Sequence, residues 1–171
     1  MNRSPNRMSR LAARCNALPP SLRSPILTRL FARLVPFLGT ASLRFDRVTP
    51  HQVVVSIRNR RKVQNHIKGV HAAAMALLAE TATGFVVGMN VPDDKLMLLK
   101  SMRVNYQRRS QGDMRAVATL SEEQIDGFFR ADKGEVTVPV VVTDASGEAP
   151  IACEMVWAWV PKKRERTGEG A

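Results

Sequence analysis

Hydrophobic and polar residues follow two different periods along the chain. Between Pro25 and Pro36 the apolar residues recur at helical spacing, and a proline stands at each end, which predicts a helix over residues 25–35. Alternation with period two, typical of half-buried strands, begins after that helix. It predicts six mainly antiparallel strands, located at about residues 41–45, 53–57, 97–109, 114–121, 135–143 and 150–160.

A third pattern occupies residues 71–88, which are apolar on nearly every side and rich in helix-forming alanine and leucine. A helix without a polar face is expected to be buried. Six strands can bury one apolar helix on most sides if their sheet curls around it. We therefore expect an α+β fold with a curved antiparallel six-stranded sheet wrapped around one long central helix, plus an N-terminal helix.

The length of 171 residues suits one domain with a sizeable core. The pattern divides the chain into a flexible basic leader at 1–24, the domain at 25–160 and a charged tail at 161–171. Cys15 and Cys153 match no metal-binding spacing, which favours a reducing compartment. No apolar run is long enough to span a bilayer and no secretion signal is recognisable, so a cytoplasmic location is expected.

The charge is unevenly distributed. The chain carries a net charge of +11, but residues 1–79 contain 14 Lys/Arg and a single acid, a net charge of +13. A basic half attracts phosphorylated ligands, anionic lipid or nucleic acid. A single tyrosine and the lack of a recognisable motif argue against specific nucleic-acid binding. We also predict a weak contact between the basic N-terminus and a membrane surface.

Glu80 departs from the apolar pattern of the 71–88 helix. An ionised carboxylate is costly to bury, so it must be paired, be protonated or face a cavity. Ala73, Ala76 and Gly84 share its helical face, and such small side chains would leave room for a substrate. The alternative is an ion pair with a basic residue of the next strand, Lys100 or Arg103.

The start of this helix offers complementary chemistry. Free N–H groups and the helix dipole near His71 and Ala72 would stabilise an oxyanion. Gly69 allows the backbone to turn just before them. Asn65 and His66 lie in the preceding loop, where each suits either a site or an ordinary turn.

The spacing of Asn65, His71 and Glu80, with Gly84 four residues later, resembles the hotdog-fold acyl-CoA thioesterases of the phenylacetate-degradation type. An uncharacterised bacterial hotdog family looks closer still. Its pattern is a polar amide, a histidine six residues later at the helix start and an acid nine residues beyond. The strand and helix order also matches the hotdog fold over about residues 38–160.

The resemblance implies a role for each matching residue. Glu80 corresponds to the catalytic carboxylate, acting as general base or nucleophile, and Asn65 to the amide that positions water or substrate. His71 corresponds to the histidine at the helix start. Ala72 departs from the family pattern, which has a glycine whose N–H polarises the thioester carbonyl. Such sites lie between two protomers, so a homodimer or homotetramer is implied.

The substrate implied by the resemblance is an acyl-CoA or a related thioester, with coenzyme A as part of the substrate and no separate cofactor or metal. We expect polar and basic residues to receive its coenzyme A portion. The candidates are His66, Arg60, Arg61, Lys62, Arg108 and Arg109.

Two other functions are consistent with the same residues. The alanine at position 72 and the amphipathic helix at 25–35 would suit a non-catalytic acyl- or lipid-binding module. His66 precedes Glu80 by 14 residues, the separation found in hotdog hydroxyacyl dehydratases. The chain lacks the Pro/Gly-rich linker of that branch, so we rank dehydration below hydrolysis.

Overall fold

The computed structural model describes residues 3–162. This part of the chain contains five α-helices, one 3₁₀ turn at Arg61–Val63 and seven strand segments. The helices are α1 (Arg7–Asn16), α2 (Pro20–Leu34), α3 (Pro36–Ala41), α4 (Ala72–Gly88) and α5 (Glu122–Arg130). The strands are β1 (Arg44–Val48), β2 (Gln52–Ile57), β3 (Lys95–Tyr106), β4 (Met114–Thr119), β5 (Gly134–Val138), β6 (Val140–Asp144) and β7 (Ile151–Pro161).

All strand pairs are antiparallel, in the orders β1-β2-β4-β6 and β3-β7-β5. The run predicted as one strand over 135–143 forms both β5 and β6, which only Pro139 separates. Proline has no N–H to donate to a ladder. Pairing with β7 therefore ends at Val138, and pairing with β4 begins at Val140. The chain passes from one sheet to the other at this point.

Helix α4 lies at the centre of the fold. It packs against strands of both sheets, and Leu78, Ala82 and Val86 are fully buried. A helix with this little polar surface is stabilised chiefly by burial, at about 25 cal/mol per Å² of apolar area. The expected fold class, a sheet curled around one long helix with an additional N-terminal helix, is confirmed as a hotdog fold.

Three aromatic rings attach the N-terminal helical layer to the core. Phe31 of α2, Phe45 of β1 and Phe85 of α4 have ring centroids 4.6–4.8 Å apart. The helix predicted over 25–35 is thus present as α2, but it begins at Pro20 and contains Pro25. The earlier start reflects Pro20, which occupies the first helical turn, where a missing N–H costs nothing.

The prediction of a flexible leader is wrong for residues 7–16, which form α1. Asn6 caps this helix by accepting from Ser9 N–H, and its amide also donates to the carbonyls of Gly88 and Val91, each at 2.7 Å. Ala12 is fully buried. Because Asn6 joins the beginning of α1 to the end of α4, this segment is part of the domain.

Helix α5 is an element that hydrophobic periodicity did not predict. Its signal is a capping box, in which Ser121 and Gln124 exchange side-chain to backbone hydrogen bonds. At the other end, buried Lys95 donates to the carbonyls of Phe128 and Ala131, both at 2.8 Å. A cation at a helix C-terminus satisfies carbonyls that lack a partner within the helix.

Within residues 3–162, no helix combines the length and the apolar composition that crossing a membrane requires. Strand β7 extends to Pro161, the first residue of the predicted charged tail. The rest of that tail, from residue 163 onward, lies outside the described residues.

Candidate active site

His71 organises the start of α4. It occupies the N-cap position, where its Nδ1 accepts from the N–H of Ala73 at 3.1 Å and its carbonyl accepts from Ala74 and Met75. The N–H of Ala72 donates to no acceptor among residues 3–162. An unpaired amide therefore stands at the positive end of a 17-residue helix, where sequence analysis predicts the oxyanion donor.

Tyr106 supports this helix start from the end of β3, a contact that the sequence analysis missed. Its hydroxyl donates to the carbonyl of Ala72 at 3.1 Å, and burial raises its pKa. Tyr106 is the single tyrosine of the chain, but nothing in its sequence neighbourhood indicates which backbone group it reaches.

Asn65 shapes the loop before the helix. Its Oδ1 accepts from the N–H groups of Ile67 at 3.1 Å and Gly69 at 3.0 Å, which is an Asx-type turn. A side chain at Gly69 would lie 3.2 Å from Ser110 Oγ, so glycine permits this close approach. The Nδ2 of Asn65 has no acceptor in the described part of the chain and can donate to a ligand.

A groove of about 690 Å³ lies beside the helix start. Its lining includes Asn65, Ala72 and Tyr106. Four buried side-chain polar atoms lack a partner among residues 3–162, and three of them belong to residues that line this groove: Asn59 Oδ1, Arg108 Nε and Ser110 Oγ. Buried polar atoms are nearly always hydrogen-bonded, so these three mark the wall of the groove as unusually polar.

Arg108 is anchored by Asp144, a residue that the sequence analysis did not select. The guanidinium donates to Asp144 Oδ1 at 3.0 Å and to Ser146 Oγ at 2.9 Å. Burial alone would raise the pKa of Asp144, but hydrogen bonds from Ser146, Arg108 and the Gln111 amide lower it well below its usual value. Arg108 was predicted to end the third strand, but β3 ends at Tyr106, and most of the guanidinium is already paired.

The predicted coenzyme A residues do not converge. Arg108 and Arg109 line the groove beside Ala72, whereas Arg60 and Lys62 line a separate groove of about 940 Å³ beside α2, α3 and β1. Arg61 and His66 are exposed and line neither of these grooves. A single nucleotide could therefore use only one of the two basic groups within one chain.

Glu80 lies half-buried on α4 and forms no ion pair among the described residues. The alternative partners are engaged elsewhere, Lys100 with Glu135 and Arg103 with Glu154. Burial raises the pKa of Glu80, and this effect outweighs the opposing hydrogen bond from the hydroxyl of Thr81, 3.5 Å from Glu80 Oε2. The carboxylate is therefore half-buried and is not held in an ion pair among the described residues, surroundings in which a carboxyl group can act as a base.

The small residues around Glu80 play two different roles. Ala73 is exposed and Ala76 is half-buried, so this face of α4 is open toward the N-terminal end. At Gly84 the prediction of free space is wrong, because the ring of Trp157 lies against it. Burial raises the pKa of the Cys153 thiol, also on β7, to about 11, which disfavours the nucleophilic thiolate.

Glu80 and the free amide of Ala72 are far apart along the same helix. Eight residues at 1.5 Å each place them about 12 Å apart along the axis. A glutamate side chain cannot bridge that distance, and Glu80 lines neither groove described above. One copy of the chain therefore keeps the carboxylate and the candidate oxyanion donor in separate places.

Comparison with known proteins agrees with this architecture. The family model "Domain of unknown function (DUF4442)" matches residues 23–160. No curated protein matches the chain.

Among solved structures, a structural-genomics protein is 25% identical, with a TM-score of 0.72 over 91% of this chain and 99% of its own. A Pseudomonas aeruginosa protein described as a probable thioesterase is 22% identical, with a TM-score of 0.73 over 85% and 97%. A Haemophilus influenzae thioesterase is 10% identical, with a TM-score of 0.64 over 88% and 96%. The chain therefore belongs to the DUF4442 family and shares its hotdog fold with proteins that carry a thioesterase name.

Proposed function

We propose that this protein is a thioesterase that hydrolyses an acyl-CoA or a related acyl thioester. The observation that carries the proposal is Glu80, a half-buried carboxylate with a raised pKa and no ion pair among residues 3–162. Perturbed and unpaired acids on buried helices are typical of catalytic sites. The thioesterase names of two similar structures support the same reaction class.

The site would be completed by a second copy of the chain. Strand β3 is at the edge of the order β3-β7-β5, and its 12 residues leave one side without a strand partner among the described residues. Leu98 and Met102 of this strand are about half exposed. Pairing of two β3 edges about a two-fold axis would cover them and could bring Glu80 to the partner's Ala72.

In this arrangement Glu80 would remove a proton from water while the water oxygen attacks the thioester carbonyl carbon. The N–H of the partner's Ala72 would stabilise the oxyanion, and the Nδ2 of Asn65 would orient the water or the substrate. Collapse of the intermediate breaks the C–S bond, and Glu80 returns the proton to the departing thiolate. The products are a carboxylic acid and the free thiol.

The groove beside Ala72 would hold the coenzyme A portion. Asn59, Arg108 and Ser110 line this groove with polar side chains that suit its amides and hydroxyls, and exposed Arg109 offers charge to its phosphates. Binding by Arg60, Arg61 and Lys62 stays a prediction, and it would require the nucleotide to reach the other groove.

The experiment is a thiol-release assay with short, long and aromatic acyl-CoAs. Glu80→Gln keeps the size of the side chain but removes the base, so we expect a loss of roughly 10²–10⁴-fold in kcat. Glu123→Gln, on the exposed first turn of α5, is the matched control and should behave like the wild type. Full activity of the Glu80→Gln protein would contradict the mechanism.

A non-catalytic acyl-binding module is the second candidate, and Ala72 is the observation that favours it. The methyl group adds bulk where the family pattern has glycine. Acyl-CoA bound in equilibrium dialysis without thiol release, in both wild type and Ala72→Gly, would favour binding alone. The dehydratase alternative is weaker, because His66 is exposed and lines neither groove.

A further inference from the structure

Large apolar side chains are exposed at the corner between α2 and α3. Leu34, Val35 and Phe37 are 58%, 41% and 63% exposed, whereas the neighbouring Leu38 is buried. We call these three residues the α2–α3 corner. Contiguous apolar side chains that remain in water on a folded domain usually mark a surface that binds something.

The outer side of α2 extends this surface. Leu27 and Phe31 face the core, and the residues on the opposite side of the helix are all exposed. In order, these outward residues are Leu22, Ile26, Arg29 and Arg33. We call these four residues the outer stripe of α2. Together with the α2–α3 corner, the stripe has apolar residues at both ends and two arginines between them.

The electrostatic surroundings are strongly one-sided. No acidic residue occurs before Asp46, whereas eight arginines precede it. Arg3 and Arg10 pair with acids elsewhere in the domain, but Arg29 and Arg33 have no acidic partner within residues 3–162. Across α3, the separate groove adds Arg60 and Lys62, so positive charge continues on the other side of this helix.

We propose that the α2–α3 corner and the outer stripe of α2 dock the protein on an anionic phospholipid bilayer. Phe37, Leu34 and Val35 would enter the boundary between headgroups and acyl chains, and Arg29 and Arg33 would lie among the lipid phosphates. Interfacial helices combine apolar and basic side chains in this way.

Charge selects this occupant over the alternatives. A second copy of the same face would bring two acid-free arginine clusters together, which is unfavourable. Nucleic acid would match the charge, but it offers no apolar phase for Leu34 and Val35. The docking surface is on α2 and α3, not on the Glu80 face of α4, so the proposal does not depend on the proposed hydrolysis.

The test is co-flotation of the full chain with vesicles of 30% phosphatidylglycerol in phosphatidylcholine, compared with pure phosphatidylcholine. We expect binding to the anionic vesicles only, weakening as salt rises from 50 to 500 mM. Phe37→Ser should weaken binding roughly tenfold or more, because a large apolar side chain no longer enters the bilayer. Arg29→Glu with Arg33→Glu should weaken it more than tenfold, since each arginine contributes a factor of about five.

Val141→Ser is the matched control, because Val141 is 60% exposed on β6, away from the surface proposed to dock. It should bind vesicles like the wild type, and so should Glu80→Gln, which separates this proposal from the catalytic one. The proposal is overturned by absence of binding to anionic vesicles, by equal binding to neutral ones or by equal loss in Val141→Ser. It is also overturned if Phe37→Ser leaves vesicle binding intact but dissociates an oligomer in sedimentation velocity.

Discussion

The indole ring of Trp157 occupies the space that a side chain at Gly84 would need. A Cβ atom on Gly84 would lie 2.7 Å from Cη2 of that ring, closer than real contacts allow. The indole N–H donates to Thr83 Oγ1 at 3.0 Å, so the ring cannot turn away without losing a buried hydrogen bond. Strand β7 and helix α4 are fitted to each other at this contact.

Gly84→Ala should therefore destabilise the protein, although alanine is the better helix former. Overpacking of this kind costs about 1–3 kcal/mol, to be measured as the free energy of unfolding in urea. Gly127→Ala in α5 is the matched control, because nothing lies within 4 Å of the added Cβ. It should stabilise by about 0.5–1 kcal/mol. Equal effects of both substitutions would mean that Trp157 moves freely.

Protonation of Asp144 should lower the free energy of unfolding in acid. Its side chain is fully buried, and its pKa is lowered in the folded state. The ionised side chain therefore stabilises the fold at any pH above its pKa in the unfolded chain, near 3.9. This stabilisation is lost as the pH falls from there through the lower pKa of the folded state. Asp144→Asn should cost on the order of 3 kcal/mol at pH 7, because it removes the negative charge that Arg108 faces.

The measurement is the unfolding free energy of wild type and Asp144→Asn between pH 7 and pH 2. The difference between the two proteins should shrink as the pH falls. Glu148→Gln, a change of an exposed acid in the same hairpin, should have little effect at any pH. A constant difference across the range would show that the aspartate contributes through packing instead of charge.

Glu80 should have the opposite effect on stability. Its pKa is raised in the folded state, so the ionised side chain opposes folding at neutral pH and ceases to do so below the unfolded pKa, near 4.3. Glu80→Gln should be at least as stable as the wild type at pH 7, with the advantage disappearing toward pH 4. The acid limb of kcat/KM should lie above pH 4.3 for the same reason. A less stable Glu80→Gln protein at pH 7 would indicate that the carboxylate has a partner that stabilises it.

Tyr106→Phe should test the support of the helix start. This substitution removes the hydrogen bond that the Tyr106 hydroxyl donates to the Ala72 carbonyl, which joins the end of β3 to the start of α4. We expect a stability change of about 1 kcal/mol or less, because Tyr106 is half exposed. If the Ala72 amide serves as the oxyanion donor, kcat should fall several-fold with little change in KM. Unchanged kcat would mean that the helix start is positioned by His71 alone.

The elements with clear local signals were predicted well. The central helix, the N-terminal helix and the strands follow from periodicity alone, because burial on a helix or a sheet imposes that periodicity. The boundary errors have identifiable causes. Pro139 divided one predicted strand into two, and the packing of α1 on the domain became visible only through the contacts of Asn6 with Gly88 and Val91. The capping box of α5 was readable in the sequence but was missed.

The positions of the candidate site residues were predicted in part, and their roles stay a prediction. The unpaired amide of Ala72 and the unpaired carboxylate of Glu80 lie where helix periodicity indicates, since both belong to one regular helix. Tyr106 and Asp144 could not be predicted, because each contributes through a partner distant along the chain. The basic residues were assigned to one ligand on charge alone, and the fold placed them in two grooves.

The amino-acid sequence by itself determined which segments are buried and which charged groups stand out, because hydrophobic periodicity and the cost of a buried charge are local properties. Only the tertiary structure decided where those groups meet. It filled the space at Gly84 with Trp157, paired Lys100 and Arg103 away from Glu80 and left Leu34, Val35 and Phe37 in solvent. Each of these outcomes depends on how segments far apart in the chain pack together, and no local pattern records that packing.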